Sequence, residues 1–360
     1  MQVNFHTQAE TLRNKYLLKT EDFFVANRQA LTANFAKNFL QVCGHIVELQ
    51  KNASLPKIHH LEYIMDYGDF VERNYTANVW VFGEYWYSDK NRRVVGEHSI
   101  NGLFVHFNEM WDELLTLRKK HPQESALTVK DIMITAMPDF YSYLVDIAKI
   151  AIAECVDEPL FKDIEKGKTF KIRAGEYMNP QKSQIIYTMG DNSTKNSEAS
   201  ARWFGERLKN EYTHGDYADL DFSNRSFEDT DLRYSRFDKC RFDDASLAGS
   251  RLTGSNFRKA HMENCKLDNC TIHEADFSCA TLIGAEFINA KGSAGLPDKE
   301  KWTHPGYLPV RFCFADLTDA DFTGADLKGA DFTGANLTGT NFTDAILDNA
   351  VFDGSIDRRL

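Results

Sequence analysis

Apolar residues keep two different rhythms along the chain, and the change falls near residue 215. Before it, Leu31, Phe35, Phe39, Val42, Ile46 and Leu49 recur at spacings of three and four, which predicts a long amphipathic helix with Thr20 as its cap. Leu103, Phe107, Met110, Trp111 and Leu114 predict a second helix. Thr128 to Met137 and Pro138 to Cys155 predict two more, since proline suits a first turn better than a helix interior. The runs LEYIM, NVWVFGEYWY and RRVVGEH predict strands, as do TFKIRA and QIIYTM joined through Asn179 and Pro180. Residues 1–195 therefore read as an α+β domain. Residues 196–216 come next as linker and cap, with NSTKNSEAS as the linker and Ala199 to Tyr212 as a short helix over the open start of the C-terminal part.

From Phe222 the rhythm is five. Phe222, Phe227, Leu232, Phe237, Phe242, Leu247, Leu252, Phe257, Met262, Leu267, Ile272, Phe277, Leu282 and Phe287 are followed, after an irregular stretch, by Phe312, Leu317, Phe322, Leu327, Phe332, Leu337, Phe342, Leu347 and Phe352. A small residue sits two positions earlier in most repeats, as at Ala315, Ala320, Ala325 and Ala330. Neither a helix nor a strand has this period. The stretch ADLTD ADFTG ADLKG ADFTG ANLTG resembles the pentapeptide-repeat family, whose motif is A(D/N)LXX. The resemblance implies a right-handed quadrilateral β-helix over residues 217–360, one pentapeptide per side and twenty residues per coil, with the large apolar and the small residue inward. At that offset stacked charges should be complementary. Asp221 lies under Arg241, Asp231 under Arg251, Asp238 under Arg258, Lys266 under Glu286 and Lys328 under Asp348, while Lys239 under Lys259 and Asp243 under Glu263 break the rule.

Early repeats place Arg225, Thr230, Ser235, Cys240, Ser250, Cys265 and Cys270 at the small position, and a buried unpaired arginine is unacceptable there. Between residues 291 and 309 the pattern lapses into KGSAGLPDKEKWTHPGYLP, either an extruded loop or a distorted coil. Trp302 and Tyr307 keep the register, whereas Gly292 and Pro297 favour the loop.

Composition narrows the function. Hydrophobic residues at 42% and aromatics at 12% exclude a disordered chain. A mean hydropathy of -0.45, and no apolar run approaching roughly 18 residues, argue against a membrane span. The first residues lack a basic and then apolar signal, so a cytoplasmic protein is expected, and seven scattered cysteines are expected to be reduced. A net charge of -11 argues against direct nucleic-acid binding. Nucleophile-elbow, zincin, dinucleotide and P-loop motifs are absent, so neither an enzyme nor a cofactor is expected.

His59, His60, Glu62 and Asp66 are the nearest approach to a metal cluster, but in a strand His59 and His60 point to opposite faces, and no metal is expected. Cys265 and Cys270, near His261 and His273, occupy the inward position and read as apolar fillers. The aromatic cluster Tyr67, Phe70, Tyr75, Trp80, Phe82, Tyr85, Trp86 and Tyr87 is too dense to bury on one face, so Trp80, Tyr85 and Trp86 are a candidate binding surface. Asp316, Asp319, Asp321, Asp326, Asp331, Asp344, Asp348 and Asp353 face only Lys328 across the last repeats and form a candidate acidic collar.

The family resemblance implies that such acidic coils stand in for DNA on DNA gyrase or topoisomerase IV, with Lys299, Lys301, Trp302 and Tyr307 of the irregular stretch as enzyme contacts. The alternative is a rigid adapter whose N-terminal domain binds the partner or ligand. After Phe352 only Ile356 and Leu360 remain to cover the last coil, so a homodimer through that coil is expected.

Overall fold

The computed structural model describes residues 4–65, 73–176, 184–190, 196–205 and 212–355, in two compact units. The first comprises residues 1–189 together with Leu296–Pro305; the second comprises Gly190–Gly295 and Gly306–Leu360.

In the first unit α1 runs from Phe5 to Lys51, capped by the side chain of Asn4, which accepts the Thr7 N–H. Thr20 is not the cap. It lies inside the helix, and its hydroxyl donates to the Tyr16 carbonyl because Phe5, Ala9, Tyr16 and Leu17 extend the buried stripe a further turn and more. Strands β1 (Ile58–Met65), β2 (Thr76–Phe82) and β3 (Arg93–Ser99) precede α2 (Val105–Arg118) and α3 (Ala126–Cys155). α3 is one helix rather than two. Pro138 lies within it, and the roughly 3 kcal/mol that an interior proline costs is outweighed by a core stripe continuous across it, Met133, Met137, Phe140 and Leu144. The short α4 (Pro159–Lys162), β4 (Lys166–Glu176) and β5 (Gln184–Met189) complete the unit.

The sheet has the order β3-β2-β1-β4-β5, with β1 and β4 parallel and the other pairs antiparallel. Leu61, Tyr63, Val79, Val81, Ile172 and Ala174 are buried on one face. His60, Glu62, Trp80, Lys171 and Arg173 alternate onto the other, as strand geometry demands. The segments carrying Asp66, Tyr67, Phe70, Asn179 and Pro180 lie outside the described residues.

The second unit opens with α5 (Ser197–Gly205). Phe204, 1% exposed, meets Tyr217, Phe222 and Phe227 at ring distances of 4.8, 5.6 and 5.4 Å and so covers the first coil. Residues 206–211, the rest of the expected cap, lie outside the described residues. Parallel rungs then link residues twenty apart on four sides, beginning Asp216↔Arg236, Asp221↔Arg241, Ser226↔Ser246 and Asp231↔Arg251. The large and the small position of each repeat point inward and, Arg225 apart, are buried from Phe222 through Leu337. Each side ends in a residue of positive φ, such as Asn224, Asp229, Asp244, Gly249 and Asn264, where glycine, asparagine and aspartate are least strained.

Most polar residues at the small position solve their burial alike: Ser235, Cys240, Ser250, Ser255, Cys270 and Thr340 each donate to the carbonyl 23 residues earlier, while Thr230 donates to the Glu228 carbonyl. Arg225 instead stays partly exposed and pairs with Glu198 of α5 at 3.0 Å.

The irregular stretch is an extruded loop. The rung offset jumps from 20 to 35 at Asp276↔Arg311, so the ladder resumes as though fifteen residues were missing. Gly295 and Tyr307 close the neck with paired backbone hydrogen bonds of 2.8 and 3.0 Å. The tip, Leu296–Pro305, packs within the first unit: Asn14 bonds the Glu300 carbonyl and the Trp302 N–H, and the Trp302 indole donates to Tyr143 at 2.8 Å.

Candidate functional site

The eight aspartates of the expected collar fall two to a side, Asp331 and Asp353 on the first, Asp316 and Asp319 on the second, Asp321 and Asp344 on the third, Asp326 and Asp348 on the fourth. Asp316, Asp321 and Asp331 accept the backbone N–H two residues on, at 3.2, 2.8 and 3.0 Å, so each carboxylate also shapes its own turn. The collar alone therefore favours no direction.

Earlier coils do. Counting each side with the corner residue that ends it, the second side adds Asp221, Asp243, Asp244 and Glu263, with Arg241 as its base. The third adds Glu228, Asp229, Asp268 and Glu286, with Lys266 and the already paired Arg225. On the fourth side Arg233, Arg251, Lys291 and Lys328 balance Asp231, Glu274, Asp326 and Asp348. On the first, Arg236 holds Asp216 and Asp238, while Arg258 and Arg311 hold Asp276. Two adjoining sides thus carry a net excess of acids, set at intervals from the first coils to the last, and the other two are near neutral. Burial raises the pKa of Asp268, and the neighbouring Glu286 and Asp321 push it the same way, as expected of crowded like charges. Five rungs on the third side, from Ser226 to Asn341, at roughly 4.8 Å each, make a stripe roughly 24 Å long.

Of the expected loop contacts, Lys299 and Lys301 are exposed, whereas Trp302 and Tyr307 are engaged inside the chain, Tyr307 stacked on His273 at 4.3 Å. Cys265 and Cys270 are buried, and burial raises both thiols, Cys270 to about 12. Among the described residues no three His, Cys, Asp or Glu side chains are grouped to hold a metal ion.

On the outer sheet face of the first unit the expected aromatic surface divides. Tyr85 is 75% exposed, and Trp80 is half-buried beside Phe82. Trp86 folds over the sheet and donates its indole N–H to Glu62 Oε1 at 2.5 Å, while the Tyr87 hydroxyl donates to Oε2 at 2.7 Å. Glu62 is 1% exposed, and burial raises its pKa against these two hydrogen bonds. Burial, then Arg173 and Lys171, lowers His60 to about 4. His59 points the other way, its ring against Gly167, as alternation requires.

The class of protein is thus a four-sided solenoid with charged sides and an α+β unit before it. The repeats are pentapeptide repeats: residues 213–291 match a pentapeptide repeat region and residues 315–354 match pentapeptide repeats in 8 copies, the right-handed quadrilateral β-helix, while the N-terminal part matches no family model. No curated protein matches the chain. Similar solved structures include HetL, a pentapeptide repeat protein involved in heterocyst differentiation regulation in the cyanobacterium Nostoc, at 16% identity over 46% of this chain and 98% of that one, with a TM-score of 0.17. Trypsin-treated QnrB1, a plasmid-mediated fluoroquinolone resistance protein, has 15% identity, coverage of 40% and 88%, and a TM-score of 0.24. Rfr23 of the cyanobacterium Cyanothece has 18%, 43% and 97%, and 0.18. Among the described residues no helix is long and apolar enough to cross a membrane.

Proposed function

We propose that this is a non-enzymatic docking protein whose second and third sides seat in a basic groove of a protein partner. The observation that carries the reading is the acidic stripe on those two adjoining sides. An extended negative surface on a stiff rod attracts a groove built for nucleic acid by long-range steering and screened contact. A type II topoisomerase, DNA gyrase or topoisomerase IV, fits this description, and the repeat resemblance points to the same partner. At the far end of the helix Ile346 and Val351 are 47% and 40% exposed and Phe342, Leu347 and Phe352 are only partly covered, so a second copy docks on the last coil.

Binding to gyrase should be salt-sensitive and compete with DNA. The variant D243N/E263Q/E286Q, on the acidic sides, should weaken it about tenfold or more, while D326N/D331N on the other two sides should change it little. Equal loss in both variants, or no effect of the wild type on supercoiling, overturns the reading.

A further inference from the structure

Glu62 is buried in the middle of a sheet, where a carboxylate is costly unless every lone pair is used. Both its oxygens are used, but by neighbours of one short 3-10 turn, Trp86 and Tyr87. Trp86 holds φ at 50°, a left-handed conformation that bulky side chains rarely adopt and that tends to persist at functional sites. Its indole lies parallel to the His60 ring, 5.0 Å away and 11° from coplanar, and the Arg173 guanidinium stands 4.6 Å from its centre. His60 Nδ1 is buried and has no hydrogen-bond partner. The floor of the sheet thus offers a stacking ring, a guanidinium, a two-oxygen acceptor and one spare polar atom. The chain's own tryptophan sits on it.

We infer that Trp86 is an internal stand-in, and that the β2–β3 loop is a lid over a binding site for a guanine base. One planar group that gives two neighbouring N–H donors to a carboxylate replaces Trp86 and Tyr87 together. Guanine does so through N1–H and its 2-amino group, and an arginine-like guanidinium does so too. Arg173 and Lys171, facing Glu62 and His60 across the β1–β4 ladder, repel the cation and accept the neutral base. Stacking on His60 and Arg173 supplies the remainder.

The test is calorimetric titration of the full-length chain with guanosine, adenosine and methylguanidinium. Trp86→Ala should bind guanosine about tenfold more tightly than wild type, because no lid has to be displaced. Adding Glu62→Gln should abolish that binding, since an amide N–H₂ then faces the ligand's donors. Adenosine, whose N1 is an acceptor, should not bind. Failure of Trp86→Ala to bind guanosine at about 1 mM, equal binding of adenosine, or tighter binding of methylguanidinium overturns the inference. If circular dichroism shows Trp86→Ala unfolded, Tyr87→Phe decides: it frees one oxygen and should tighten guanosine binding, and unchanged or weaker binding refutes the site.

Discussion

Phe332→Ala probes the solenoid core where it is best defined. The ring is fully buried, lies face to face with Phe312 and Phe352 at 5.0 and 5.1 Å with planes within 8° and 2°, and meets Phe342 edge-on at 5.6 Å. Truncation of such a ring costs about 3–5 kcal/mol, and the stacked geometry places this site toward the upper end. A solenoid sums the stability of each coil and its neighbours, so the loss should stay local. Hydrogen exchange should show amides in the ladder around it, Asp331 N–H to Val310 and Val351 N–H to Ala330, exchanging about a thousandfold faster, the equivalent of about 4 kcal/mol. Coils before Phe277 should keep their protection. Phe352→Ala, half-covered on the last coil, should cost less. Unchanged protection, or a loss spread evenly through the helix, would refute the inward stacking argument.

Phe314 holds φ at 57° and is 67% exposed, so Phe314→Gly should raise the stability measured in urea melts by about 1 kcal/mol, and a lower midpoint would contradict the corner geometry. Burial opposes ionisation of Asp276, yet Arg311 and Arg258 outweigh it and hold its pKa below the usual carboxylate value. Its stabilising contribution is therefore present above the unfolded value of about 3.9 and lost as the pH falls through the lower folded value; Asp276→Asn should flatten that acid limb in a pH series of melts. Light scattering at micromolar concentration should give twice the 41.2 kDa chain mass, and deletion of residues 354–360 that leaves a monomer mass unchanged would rule out the dimer.

The five-residue core rhythm was legible because only the inward positions of each side must be apolar or small. A second rhythm of five, Asn, Asp or Gly at the positive-φ corner, was equally present in Asn224, Asp229, Asn264 and Asn269, and marks where each side ends. The acidic sides were not legible from charge summed along the chain, since consecutive repeats face four directions and Arg233 or Arg236 cancels on paper an aspartate it never faces. Strand positions in the N-terminal unit were readable, but period two says which face a residue takes and not which strand lies beside it, so the β1–β4 pairing was hidden. Aromatic density around Trp86 was visible; that its indole would bury Glu62 was not, because the turn that delivers it depends on a conformation tryptophan disfavours. Thr20 and Pro138 misled for one reason: local end signals yield to a buried stripe that continues past them.

A ladder that closes every twenty residues and turns a corner every five lets length and aim vary separately. Loss of one pentapeptide between Leu282 and Phe287 would leave the inward columns filled, yet swing everything downstream by a quarter turn, carrying Asp321 to the second side and Asp316 to the first. Loss of twenty residues would shorten the rod by roughly 4.8 Å and leave its heading unchanged. The loop changes neither, because it leaves and rejoins at one corner. Small insertions and deletions in such a chain act as a dial that re-aims a charged surface without touching the interior that supports it.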